Sequence, residues 1–88
     1  MKVSFTRDGW DDLTYWIETD RKKLARITRL IKDTSRHPFE GIGDPEPLKH
    51  ERSGWWSRRI DQEHRLIYRV SGTGESQTLE IAQCRHHY

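Results

Sequence analysis

Glu46, Lys49, Arg59, Arg65 and a histidine at the chain end are the residues whose types could do chemistry together. Cleaving RNA through its own 2'-hydroxyl needs a base to take the hydroxyl proton and an acid to protonate the departing 5'-oxygen. Cations must also stabilise the crowded phosphorane between those steps. Glu46 offers the base, a terminal histidine the acid, and Lys49, Arg59 and Arg65 the cations. Each role is then filled with no metal and no cofactor. Taken singly, every residue has a plainer reading. Glu46 between Pro45 and Pro47 suits a solvated loop, and terminal histidines are often disordered. The combination is more specific than its parts.

Those groups need strands beneath them. From Pro45 to Arg69, β-type apolar residues alternate with arginines and a lysine, which predicts strands at Leu48 to Arg52, Trp55 to Ile60 and His64 to Val70. Ser53-Gly54 joins the first pair and Asp61-Gln62-Glu63 the second. A three-residue turn there sets Arg59 directly opposite Arg65, where like charges repel unless an anion lies between them or both splay into solvent. The adjacent Trp55 and Trp56 must face opposite ways, one toward the core and one outward, where it could stack on a base, pack a partner helix or form a dimer contact. Ser71 to Gln77 reads as a flexible turn and Thr78 to Gln83 as the last strand.

The N-terminal half supplies a cover for that sheet. Lys2 to Thr6 suits a short first strand. Thr6 or Asp8 can cap a helix to about Thr19 with Trp10, Leu13, Trp16 and Ile17 on its apolar side. Asp20 caps a second helix whose stripe is Leu24, Ile27, Leu30 and Ile31, ending near Ser35 because Pro38 disfavours helix at His37. The expected fold is α+β: two N-terminal helices packed on a twisted antiparallel sheet in the order β-α-α-β-β-β-β, one domain over residues 1–88. Between His37 and Pro47 lies a loop with three prolines and two glycines, a usual seat for a catalytic group.

Composition narrows the classes. Leu, Ile, Val and Phe make up 17 of 88 residues, but a net charge of only +2 with four Trp and three Tyr argues for folding rather than disorder. So small a core makes stabilisation by a partner or by dimerisation plausible. A lone Cys84 fits a reducing cytoplasm and reads as a structural thiol. No apolar run is long enough for a membrane, and no signal-peptide core opens the chain. Metal-ligand spacings such as His-x-x-x-His or Cys-x-x-Cys do not occur, nor does a nucleophile elbow or a Gly-rich phosphate loop. Residues 21–36 carry seven bases against Asp33 alone, while residues 8–20 carry five unopposed acids. Mutual neutralisation of two helices is one account of this, and a basic face for RNA or an acidic protein is the other.

Several stretches together carry a resemblance: Pro38-Phe39-Glu40-Gly41, Pro45-Glu46-Pro47-Leu48-Lys49, Gly54-Trp55-Trp56-Ser57-Arg58-Arg59-Ile60, His64-Arg65-Leu66-Ile67-Tyr68 and Arg85-His86-His87-Tyr88. With Trp10-Asp11-Asp12, Tyr15-Trp16 and Leu30-Ile31-Lys32-Asp33-Thr34 in the helical half, the chain resembles the YoeB toxins of bacterial type II toxin-antitoxin systems, in the RelE/ParE superfamily. That resemblance implies a ribosome-dependent mRNA endonuclease acting at the A site, an antitoxin of the YefM type, a homodimer, and operator DNA bound only through the antitoxin complex. By position it implies Glu46 as general base and His87 as general acid. Arg65 would stabilise the phosphorane, Lys49 and Arg59 would assist on the phosphate, and Tyr88 would orient the RNA. His86 stands where an aromatic residue is more familiar in that family. The alternative reading is a non-catalytic binding module on the same fold, resting on the basic second helix and an exposed tryptophan.

Overall fold

The computed structural model describes residues 1–86, so the expectations for His87 and Tyr88 lie outside the described residues. Strand β1 (Lys2–Phe5) leads into helix α1 (Arg7–Thr19) and helix α2 (Arg21–Arg36). Strands β2 (Glu46–Pro47), β3 (Trp56–Arg59), β4 (Arg65–Ser71) and β5 (Thr78–Gln83) follow. They form one sheet in the order β1-β5-β4-β3-β2. Every neighbouring pair runs antiparallel except β1 with β5, which runs parallel, and the two helices carry the chain from β1 at one edge of the sheet to β2 at the other.

Caps set both helices. The Thr6 hydroxyl accepts from the Gly9 amide at 3.1 Å and donates to the Ala82 carbonyl of β5 at 3.1 Å, so one side chain starts α1 and fastens it to the sheet. Asp20 accepts from the Lys23 amide at 3.0 Å and starts α2, which ends at Arg36, one residue before the pre-proline His37. Helix α1 buries Gly9 and Trp16, with Leu13 half-buried beside them. A side chain at Gly9 would lie 2.4 Å from the Ile81 carbonyl, so helix and strand meet backbone to backbone. That contact turns the apolar face of α1: Trp10 and Ile17, expected on the core side, are about half exposed, with Trp10 set edge-on to Phe5. Helix α2 keeps the expected stripe, with Ile27 and Leu30 fully buried. The core joins them to Trp16, Ile60, Leu66, Tyr68, Leu79, Ile81 and Cys84.

The expected strand from Leu48 to Arg52 is not formed. His50 adopts a left-handed φ of 58°, and His50–Arg52 close a 3₁₀ turn instead. The Leu48 amide still donates to the Trp55 carbonyl at 2.9 Å, which keeps the ladder going beyond β2. Neither tryptophan of the adjacent pair is wholly buried. Trp56 packs on Phe39 with ring centroids 4.8 Å apart, and the Arg69 guanidinium lies 4.6 Å over Trp55. Among the described residues no ion pair joins α1 to α2. The ion pairs of α2 reach the sheet side instead, through Lys23–Asp61 and Asp33–Arg58. No described helix is long and apolar enough to cross a membrane.

Candidate functional site

Sheet register decides which candidate residues meet. Glu46 pairs with Ser57, Arg59 stands two residues further along β3, and Arg59 pairs with Arg65 of β4. Alternate residues of a strand share a face. Glu46, Ser57, Arg59 and Arg65 therefore lie on the face turned away from the helices, while Arg58, Leu66 and Tyr68 enter the core. Strand spacing and rise put the Glu46 and Arg65 Cα atoms roughly 12 Å apart, a span that the two side chains can close around one phosphate. Glu46 sits on a strand rather than on the expected loop, and Lys49 follows at the mouth of the 3₁₀ turn, exposed.

The chain segment leading to Glu46 is set from inside the protein. Arg58 is fully buried, and its guanidinium donates to the Asp33 carboxylate at 2.7 Å and to the carbonyls of His37, Glu40 and Ile42 at 2.5, 2.8 and 3.0 Å. Tyr68 accepts from Arg58 Nε at 3.2 Å and donates to the Pro38 carbonyl at 2.7 Å. Asp33, the one acid of α2, also accepts the Ile42 amide at 3.0 Å. The Arg58 guanidinium beside it holds its carboxyl below the usual carboxylate range. Burial raises the Tyr68 phenol, which stays a neutral donor. The sequence reading missed Arg58. Its signal was strand alternation: if Arg59 faces out, Arg58 must face in and needs a buried anion.

The cation side is built on the turn between β3 and β4. Asp61 Oδ1 accepts the amides of Glu63 and His64 at 2.8 and 2.7 Å, and its other oxygen pairs with Lys23 of α2. Burial opposes ionisation of Asp61, but the ammonium and the two amides outweigh it and bring the carboxyl to about 2. Arg65 Nη1 donates to the carbonyls of Asp61 and His64 at 2.7 and 3.0 Å. That engages one nitrogen of a group with five N–H donors. Arg59 leans the other way, its Nε 3.8 Å from the Asp44 carboxylate, both largely exposed. The facing guanidinia are thus each drawn to their own acceptors.

The segment after β5 is carried to this turn as far as His86. Strand β5 stops at Gln83, after a register shift opposite Ile67/Tyr68. Beyond it the Asp12 carboxylate accepts the Cys84 amide at 3.0 Å, and the Trp16 indole donates to the Cys84 carbonyl at 2.8 Å. Burial raises Asp12 and pushes the Cys84 thiol up to about 12, which makes that thiol structural rather than nucleophilic. His86 then lies beside Arg65, its carbonyl accepting the Arg65 amide at 3.1 Å and its own amide donating to His64 Nδ1 at 2.7 Å.

Glu63, His64 and His86 bring ligand atoms within 4.8 Å of one another. They do not make a preformed metal site. His64 Nδ1 is occupied as an acceptor, so the neutral ring carries its proton on Nε2, the nitrogen that a cation would need.

Residues 5–88 match the family described as the YoeB-like toxin of bacterial type II toxin-antitoxin systems. Toxin YoeB of Escherichia coli (strain K12) is 54% identical over 88 residues, spanning all of both chains. Among solved structures, a YoeB/ParE toxin from Agrobacterium tumefaciens superimposes with a TM-score of 0.96 at 51% identity over the whole of both chains. The YoeB dimer from Staphylococcus aureus gives 0.88 at 37% identity, covering 100% of this chain and 98% of that one. A YoeB–YefM complex from Staphylococcus aureus also superimposes, with a TM-score of 0.88 at 36% identity over 100% of this chain and 98% of that one.

Proposed function

The chain belongs to the YoeB-like toxins of bacterial type II toxin-antitoxin systems, and on that footing we propose that it is a ribosome-dependent mRNA endonuclease. It cuts the message in the A site by metal-independent acid-base transesterification and so stops translation. The observation that carries this reading is the register that sets Glu46, Arg59 and Arg65 on one sheet face, turned away from the helices, with His86 beside Arg65. Glu46 takes the proton from the 2'-hydroxyl. As that oxygen attacks phosphorus, Arg65 neutralises charge on the phosphorane, with Lys49 and Arg59 holding the phosphate and flanking backbone. His87 protonates the leaving 5'-oxygen and Tyr88 orients the RNA. The products are a 2',3'-cyclic phosphate and a 5'-hydroxyl.

The solved YoeB relatives support an antitoxin partner and a dimer. A YefM-type antitoxin would lay an acidic, partly disordered segment over the cations of this face, and binding then weakens as salt rises. A homodimer in the cytoplasm, reaching operator DNA only through the antitoxin, completes the proposal.

Mapping cut ends on a translated message tests it. The expected result is cleavage at A-site codons that depends on ribosomes and survives a chelator under conditions that keep ribosomes assembled. Glu46→Gln, Arg65→Ala and His87→Ala each lower the cleavage rate by about a hundredfold or more while leaving the fold intact. Growth arrest with the message uncut, or full toxicity of all three variants, would instead favour a non-catalytic module acting through the basic face of α2.

A further inference from the structure

His64 is buried against α1, edge-on to Trp16 with ring centroids 4.9 Å apart, yet none of the roles above uses it. Its Nδ1 accepts the His86 amide at 2.7 Å, and the Arg65 amide next along the strand donates to the His86 carbonyl at 3.1 Å. His86 is therefore gripped at both its own amide and its own carbonyl. It also holds a φ of 66°, in the left-handed region that a non-glycine residue keeps only when its surroundings over-determine it.

We propose that His64 is a positioning residue: by accepting the His86 amide at Nδ1 it fixes the course of the backbone at His86 beside Arg65. The proposal rests on the nuclease reading above, since it acts through the residue that follows His86. Only one protonation state of the ring can do this. An imidazolium carries a proton on Nδ1 as well, which sets donor against donor and releases the amide. Around the ring stand Glu63, with a carboxylate oxygen 3.6 Å from Nε2, and His86, with its ring 5.5 Å away. Arg65 and Asp61 belong to the same turn, and Lys23 of α2 lies 5.5 Å over the Trp16 ring. The His86 amide is thus held by a ring whose Nδ1 carries no proton.

The test uses the full chain, freed of antitoxin, on ribosomes programmed with one message, read as single-turnover cleavage across ribosome concentrations. His64→Leu keeps bulk and removes the acceptor, whereas His64→Asn returns an oxygen close to where Nδ1 stood. Misplacing a catalytic group by about an ångström costs on the order of a hundredfold. His64→Leu should therefore lower the maximal rate by roughly tenfold to a hundredfold with an unchanged half-saturating concentration, and His64→Asn should restore most of it. A second arm needs no activity and no variant: in the wild type, the His86 amide should resist hydrogen exchange at neutral pH and lose that protection as the ring is protonated. A His64→Leu chain that cuts at the wild-type rate overturns the proposal while the nuclease reading stands. So does a folded His64→Asn chain as slow as His64→Leu, or an unprotected His86 amide at neutral pH. A wild-type chain that leaves ribosome-bound message intact overturns the nuclease reading, and the positioning role falls with it.

Discussion

Arg58 and Arg65 stand on neighbouring strands, and each holds a loop by its backbone carbonyls, but they do so in opposite surroundings. Arg58 is wholly buried, paired with Asp33, and fixes His37, Glu40 and Ile42 on the way to Glu46. Arg65 is half-buried on the face turned away from the helices and fixes Asp61 and His64 through one nitrogen. Among the described residues no carboxylate pairs with the Arg65 guanidinium, so carbonyl contacts hold the group in place without cancelling its charge. A guanidinium committed to a carboxylate inside the core is scaffold. One oriented by carbonyls at a surface keeps its attraction for an outside anion.

Substitution separates the two most sharply at Arg58. Arg58→Ala leaves Asp33 without its partner and three loop carbonyls without their donor, and is expected to destabilise by about 3–5 kcal/mol. Arg65→Ala gives up hydrogen bonds at a half-exposed site, worth about 1 kcal/mol, while taking the cleavage rate down with it. Denaturant melts of the two variants beside cleavage assays check this. Equal stability losses would mean that the second arginine is scaffold as well.

Gly41 sharpens the comparison on the Arg58 side. Its φ is 115°, and a Cβ there would lie 2.1 Å from the Asp33 carboxylate oxygen that receives Arg58. Gly41→Ala is both strained and aimed at that ion pair, and should cost about 1–3 kcal/mol. Cleavage should fall with it, because the displaced segment runs on to Glu46. A thermal melt unchanged from wild type would show that the loop gives way without disturbing the buried pair.

Much of this was legible in the chain, because local rules spoke with one voice there. Thr6 and Asp20 are caps in sequence and in structure, Ile27 and Leu30 follow the helical period into the core, and the length of the turn after Ile60 fixes Arg59 against Arg65. What stayed hidden depends on long-range contacts. Trp10 and Ile17 fit a helical stripe, but the close approach of Gly9 to β5 decides which way α1 faces, and that is a distance between residues 72 apart. Leu48 to Arg52 fits strand alternation until His50 turns left-handed, which no composition rule foretells. Arg58 and His64 look like ordinary members of polar runs. Only packing shows that one lies in the core and that the other meets a residue 22 positions away.

The smallest expected effect lies on the Arg65 side, at Asp61. Asp61→Asn keeps the oxygen that accepts the Glu63 and His64 amides but removes the charge that faces Lys23, so the turn survives and only the ion pair is lost. Pairs this exposed contribute about 0.2–1 kcal/mol. The folded carboxyl titrates at about 2 against an ordinary value of 3.8. Above the higher value both folded and unfolded chains are ionised and the whole contribution is present. As pH falls from one value toward the other, the unfolded chain takes up the proton first and the contribution disappears. Urea melts of the wild type and Asp61→Asn should thus differ by a constant amount at neutral pH, and the two should converge as pH falls through that window. Because a small difference is being followed, each pH needs both proteins measured side by side. A gap that persists at the acid end would mean that hydrogen bonding alone, rather than charge, holds the turn beneath Arg65, and the contrast with the Asp33–Arg58 side would then be one of burial only.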